Sequence, residues 1–236
     1  MTGASAGIGR AIAERLGAGG AEVVVNYNTN RAAALEVVAA VEKAGGRGVA
    51  AQADVADPAQ SRRLFDIAEE RYGGVDILVG NVGFARFGPL AEATDDDFDR
   101  VFGLNTRATF FGLREAANRL RDNGRIVVVS SGVTVTHRPD TGLYAAAKAA
   151  AEQLVRVLAK ELGSRGITVN SVLPGATRTE SLATNRGESA LAQVAAATPL
   201  GRVGQPEDIA DIVAFLASDA ARWVTGESIR ASGGLF

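Results

Sequence analysis

The sequence predicts an α/β fold: a doubly wound parallel Rossmann-type sheet with helices on both faces. Three observations point to it. Short β-branched runs alternate with longer helical stretches along the chain. The runs are apolar throughout rather than alternating with polar residues, as in strands covered on both faces. A glycine-rich turn, T-G-A-S-A-G-I-G at residues 2–9, opens the first helix. Its glycines, Gly3, Gly7 and Gly9, let the backbone turn tightly and approach a pyrophosphate at the helix N-terminus.

The elements follow in order. Strands are expected at 22–27 (E-V-V-V-N-Y), 47–53, 75–79 (V-D-I-L-V), 125–130 (R-I-V-V-V-S), 167–173 (I-T-V-N-S-V-L) and 227–231. Helices are expected at 8–18, 30–44, 58–72, 95–121, 143–163 and 206–217. Pro206 suits a first helical position, with Glu207 and Asp208 in the first turn. The chain reads as one domain, residues 1–236. Its least regular stretch, 175–199, is expected to be a mobile lid. Only Met1 stands before the glycine turn. The first strand of such a sheet is therefore expected to be missing, with Met1 not the natural start.

A chain of 236 residues with 47% hydrophobic residues suits a full core. Net charge is −2, and no basic block suggests nucleic acid or an anionic membrane as partner. The absence of cysteine excludes disulfides and thiolate chemistry, and one histidine makes no zinc site, so no metal is expected. No apolar run is long enough to span a bilayer and no signal peptide precedes the turn. A cytoplasmic enzyme is the expectation.

Tyr144 and Lys148 lie four apart in Y-A-A-A-K, a spacing that puts both on one helix face. A nearby ammonium would lower the phenol pKa from its ordinary value near 10 and fit the tyrosine for proton transfer. Alone, the pair also reads as a solvated helix pair. Ser131 ends the strongest strand thirteen residues earlier, where α/β sheets place ligands. Its hydroxyl can hold a carbonyl oxygen, or simply satisfy backbone at the strand end.

The T-G-x-x-x-G-x-G turn, Ser131, Tyr144 and Lys148 together resemble the short-chain dehydrogenase/reductase family, over essentially the whole chain. Asp54 and Val55 look like its adenine contact. Asn81, Val82 and Gly83 look like its N-A-G motif, with valine for alanine. Asn105 matches an asparagine that holds a relay water. Pro174 and Gly175 with Thr179 resemble a turn that contacts the cofactor near the nicotinamide. The resemblance implies hydride transfer between a nicotinamide cofactor and a carbonyl or secondary alcohol. Ser131 would hold the oxygen, Tyr144 would exchange the proton, Lys148 would bind the ribose and Asn105 would link it to solvent. The glycine turn, including Ser5 and Ile8, would bind cofactor.

The end of the second strand carries no Asp or Glu before Glu36. An acidic residue there would bind the ribose 2′-hydroxyl of NAD. Asn28, Thr29 and Arg31 can instead receive a 2′-phosphate. NADP(H) is favoured and NAD(H) is the alternative, since Ala6 stands where many NADP-preferring relatives carry a basic residue.

The substrate is less specified. Phe84, Arg86 and Phe87 follow the N-V-G turn, and Val133, His137 and Arg138 precede Tyr144 in the pocket region. Arg86 and Arg138 read as solvated residues rather than readers of an acidic substrate. The pattern most resembles 3-oxoacyl-[acyl-carrier-protein] reductases. Arg165 falls at a carrier-protein docking position, whereas Asp122 occupies another. Homologues imply a homo-oligomer, tetramer or dimer, through helices 95–121 and 143–163. Phe110, Phe111, Leu154 and Leu158 would belong to that contact or to the core. The competing readings are a non-catalytic nucleotide-binding member of the fold and an NAD-dependent alcohol or sugar dehydrogenase.

Overall fold

The computed structural model describes residues 1–180 and 188–236. Six strands run parallel: β1 (Glu22–Tyr27), β2 (Arg47–Gln52), β3 (Val75–Gly80), β4 (Leu120–Val129), β5 (Thr168–Pro174) and β6 (Ser228–Ala231). The helices are α1 (Gly7–Ala18), α2 (Arg31–Lys43), α3 (Pro58–Tyr72), α4 (Asp95–Phe102), α5 (Ala108–Arg119), α6 (Val133–Thr136), α7 (Gly142–Glu161), α8 (Glu188–Ala197) and α9 (Pro206–Leu216).

The continuous apolar runs serve both faces of the sheet. In β4, Ile126 and Val128 pack with Phe65, Leu113, Val155 and Leu158 from α3, α5 and α7. Val127 and Val129 point the other way, to Ile12 of α1 and Ile209, Val213 and Leu216 of α9. Alternation along a strand thus sends neighbouring valines to opposite helix layers.

The strands form two half-sheets, β1-β2 and β3-β4-β5-β6. At the carboxyl end of the seam, the first residues stitch the halves together. The Met1 nitrogen donates to Val24 O (3.2 Å). Asn26 N donates to Met1 O (3.2 Å), Ala4 N to Asn26 O (2.9 Å) and Thr2 N to Val79 O (3.0 Å). Toward the amino end, an apolar cavity of about 370 Å³ lies between β1 and β3. Val23, Leu64, Leu78 and Gly112 are among its lining.

Several expectations need correction. The helix expected over 95–121 is two helices joined by a π-helical turn, Gly103–Arg107. The reason is Asn105: its side-chain amide donates to Val101 O (2.8 Å), the carbonyl that an unbroken α-helix would give to the Asn105 backbone. Strand β4 begins at Leu120, not 125, because Leu120 pairs with Val75 before an irregular stretch and resumed pairing at Arg125. Asn123 in that stretch takes a left-handed φ of 63°. Within 175–199, Glu188–Ala197 is helical, as its alanine content favours. Residues 181–187 of the expected lid lie outside the described residues.

Phe111 and Leu158 are buried and belong to the core, whereas Phe110 is 43% exposed. Leu154 packs partly buried against the core. Among the described residues, no helix is long and apolar enough to cross a membrane.

Candidate active site

The glycine turn is fixed by side chains at two strand ends. Gly3 N donates to Asn26 Oδ1 (3.0 Å), and Asn81 Nδ2 donates to Gly3 O (2.9 Å). Asn81 N in turn donates to Thr2 Oγ1 (3.0 Å). Asn26 is buried at 2% exposure, and its amide also donates to Ala53 O (3.0 Å) at the end of β2. Gly9 faces this knot so closely that a Cβ there would stand 2.1 Å from Gly3 O. Only glycine fits.

Helix α1 begins behind the turn without a side-chain cap and with no acid in its first turn. Helices α2, α3 and α4 start with side-chain caps, from Asn30, Asp57 and Thr94. The free N–H groups of α1, Ile8 among the first-turn residues, fit a pyrophosphate. Thr179 stands over the turn, where a Cβ on Gly7 would lie 3.1 Å from its methyl group. That contact brings the segment after Pro174 and Gly175 to the phosphate side of the cleft. Gly175 N donates to Ala231 O (2.8 Å), which seats the segment on β6.

A cavity of about 240 Å³ continues from the turn and is lined by Gly3, Ser5, Asn28, Thr29, Asp54 and Val55 among others. These expected residues meet in one place. Arg31 does not line it; the side chain lies exposed at the first position of α2. Glu36, the first acid after β1, is ion-paired with Arg10 at 3.4 Å.

The second cluster gathers on α7 and the end of β4. Lys148 is buried at 3% exposure, and its Nζ donates to Val129 O (2.9 Å). Gly83 fits between Lys148 and Asn105: a Cβ there would stand 2.8 Å from Asn105 Oδ1 and 2.9 Å from Lys148 Nζ. Asn105 is fully buried; its amide holds Phe84 O (2.7 Å) and its Oδ1 accepts from Phe84 N (3.3 Å). Thr106 Oγ1 donates to Ala147 O (2.8 Å), which ties the π-helical turn to α7. Gly83, Asn105 and Lys148 therefore form one packed unit.

Burial raises the Tyr144 phenol above its ordinary pKa near 10, and a hydrogen bond with Ser131 pulls it back down. Burial lowers Lys148 to about 8, opposed by the charge of Glu152. The Lys148 ammonium donates to the Val129 carbonyl rather than to the phenol in this structure. Phe87 stands edge-on to Tyr144, with ring centroids 6.0 Å apart, and is 54% exposed. Arg86 is ion-paired with Asp97 at 3.0 Å, and the Arg100 guanidinium covers the Phe84 ring at 4.0 Å. His137 and Arg138 are exposed. Arg165, the expected docking cation, bonds Asp122 at 2.8 Å and the Ala117 and Leu120 carbonyls.

Sequence reasoning missed Asn26, Thr2 and Glu152. Thr2 and Asn26 stand in quoted motifs, but their partners are 79 and 23 residues away. Glu152 carried a usable signal: it repeats the four-residue spacing of Tyr144 and Lys148.

A family model described as Enoyl-(Acyl carrier protein) reductase matches residues 3–236. Versicolorin reductase stcU of Emericella nidulans is 44% identical, over 100% of this chain and 94% of the relative. A crystal structure of angucycline C-6 ketoreductase LanV with bound NADP superposes with a TM-score of 0.93 at 44% identity, over 99% of this chain and 93% of that one. A structure of landomycin C-6 ketoreductase LanV with bound NADP and rabelomycin gives 0.89 at 44% identity, over 99% and 94%. The full-length match and these identities give the same answer as the clefts described above: the chain belongs to the short-chain dehydrogenase/reductase family of NAD(P)-dependent oxidoreductases.

Proposed function

We propose that this chain is an NADPH-dependent ketoreductase acting on a ring carbonyl of a flat aromatic substrate. The observation that supports the reading is the placement of Tyr144 and Lys148 of α7 against the end of β4 that leads to Ser131. The nicotinamide cofactor supplies the hydride. Ser131 donates a hydrogen bond to the substrate carbonyl oxygen and holds it against the phenol. Tyr144 gives that oxygen its proton as the carbon is reduced, and its raised pKa keeps the proton available at neutral pH. Lys148, charged below about pH 8, offsets the phenolate that remains. Asn105 and Gly83 hold the lysine in position, and solvent returns the proton.

NADPH is favoured over NADH because no acid at the end of β1 faces the cavity lined by Asn28 and Thr29. Arg31 lies exposed beside it and supplies a cation for the 2′-phosphate. Two observations support the aromatic substrate. The named relatives act on versicolorin and angucycline frameworks or bind rabelomycin. In this chain the exposed Phe87 ring offers an edge-and-face surface next to the reacting phenol. A 3-oxoacyl group on carrier protein is less well served, since Arg165 is spent on Asp122. Self-association, which the family implies, has its support in exposed Phe110 of α5 and Val157 of α7.

The test is NADPH oxidation with 2-tetralone, a bicyclic aromatic ketone. Tyr144→Phe should lower kcat by at least about 100-fold, the scale of general acid catalysis, while NADPH affinity stays within about twofold. Undiminished turnover in that variant would sink the assignment.

A further inference from the structure

Glu152 is a buried carboxyl that hydride transfer does not itself use. It lies on α7 one turn beyond Lys148 and two beyond Tyr144, with its side chain 4% exposed. Oε1 accepts from Ser130 Oγ at 2.6 Å. Oε2 accepts from Arg156 Nη2 at 3.2 Å and from Ser228 Oγ at 3.2 Å. A carboxylate withdrawn from water persists only against good partners, and an apolar side chain would fill the same space without needing them.

What it grips explains its presence. Two consecutive residues at the end of β4 are each held by a different turn of α7. Lys148 bonds the Val129 carbonyl and Glu152 bonds the Ser130 hydroxyl, and Ser131 follows next in the chain. The strand end that presents the serine is thus fixed residue by residue to the helix that presents the tyrosine and lysine. Glu152 also provides the negative charge nearest in sequence to the Lys148 ammonium on that helix face.

We propose that Glu152 is a positioning residue for the catalytic pair: it locks Ser130, and so the adjoining Ser131, and acts as the fixed countercharge of Lys148. The inference rests on the roles given above to Tyr144 and Lys148. The charged groups facing Glu152 on its own helix are Lys148 and Arg156, the latter 46% exposed; β4 and β6 offer it the hydroxyls of Ser130 and Ser228. Lys148 in turn is faced by Glu152 and by neutral Asn105. Removing the carboxylate leaves burial unopposed, so Lys148 loses its proton at lower pH.

The experiment is the pH dependence of kcat with NADPH and 2-tetralone, with unfolding followed in parallel. In Glu152→Gln the alkaline limb should move to lower pH by about one unit, and Glu152→Asp should restore part of the shift. A wild-type profile in Glu152→Gln, whatever its melting temperature, would reduce Glu152 to a structural residue and overturn the proposal. Should that variant not fold, Arg156→Met supplies the opposite sign. Removing the cation that shares Glu152 should move the limb to higher pH by a few tenths of a unit, a small effect because Arg156 is half exposed. An unmoved limb there also overturns it. Tyr144→Phe, assayed alongside, separates the two failures: turnover in that variant removes the site reading, whereas its loss with an unmoved Glu152→Gln profile removes this inference alone.

Discussion

The seam between β1 and β3 is built differently at its two ends. At the carboxyl end, Met1 to Ala4 bond to both strands, and Asn26 and Asn81 pin the turn that follows. Toward the amino end the same strands face each other across an apolar cavity of about 370 Å³. One end is dense with directional bonds and the other has loose apolar walls. The cofactor turn therefore owes its shape to a few polar pins rather than to an unbroken ladder. Geometry for function sits at one end of the seam, and unused packing energy at the other.

The largest expected effect lies at the pinned end. In Gly9→Ala the new methyl carbon would meet the Gly3 carbonyl at 2.1 Å and the Asn81 amide at 2.6 Å, so the knot must open. NADPH affinity should fall roughly 1,000-fold, equivalent to about 4 kcal/mol. Calorimetric titration checks this. An affinity within tenfold of wild type would show that the turn tolerates displacement and that the pins are not what shapes it.

Lys148 tests the same end through stability. Its folded pKa, about 8, lies below the unfolded value of 10.5. The unfolded chain thus binds the proton more tightly, and the folded state carries the full cost of the charge below pH 8. That cost is relieved as pH rises from 8 to 10.5. Relative to Lys148→Met, which has no group to titrate, the wild type should gain about 3 kcal/mol over that window. Urea unfolding of both proteins between pH 7 and 10.5 provides the measurement, and a constant difference would mean that the ammonium is solvated.

The contrast also explains what was legible in the sequence. Tyr144, Lys148 and the glycine turn announce themselves through local spacing, because helix periodicity and tight turns are written in neighbouring residues. The valine runs of β1 and β4 are legible for the same reason. The break in the 95–121 helix was not, since the Asn105 side chain takes the Val101 carbonyl only when buried, and burial depends on Phe84 from a distant loop. The pins Asn26 and Thr2 escaped notice because their bonds cross 23 and 79 residues. Arg165 shows the same limit. Its position suggests docking, and its pairing with Asp122 becomes visible only in the fold.

The smallest effect belongs to the loose end. Gly112 lies inside α5 and lines the cavity, and a Cβ there would find its nearest neighbour, Leu78 Cδ2, at an ordinary 3.7 Å. Gly112→Ala removes backbone freedom from the unfolded chain and adds a methyl group to a wall with room for it. It should stabilise the fold by about 1 kcal/mol, raising Tm by roughly 2–4 °C. The diagnostic part is what should not change. If the pins alone shape the cofactor turn, NADPH affinity and turnover of Gly112→Ala should match wild type at every temperature where both are folded. A gain in Tm accompanied by altered NADPH affinity would show that tightening the cavity moves the turn. The seam would then behave as one mechanical unit, with its loose end setting the geometry of the pinned one.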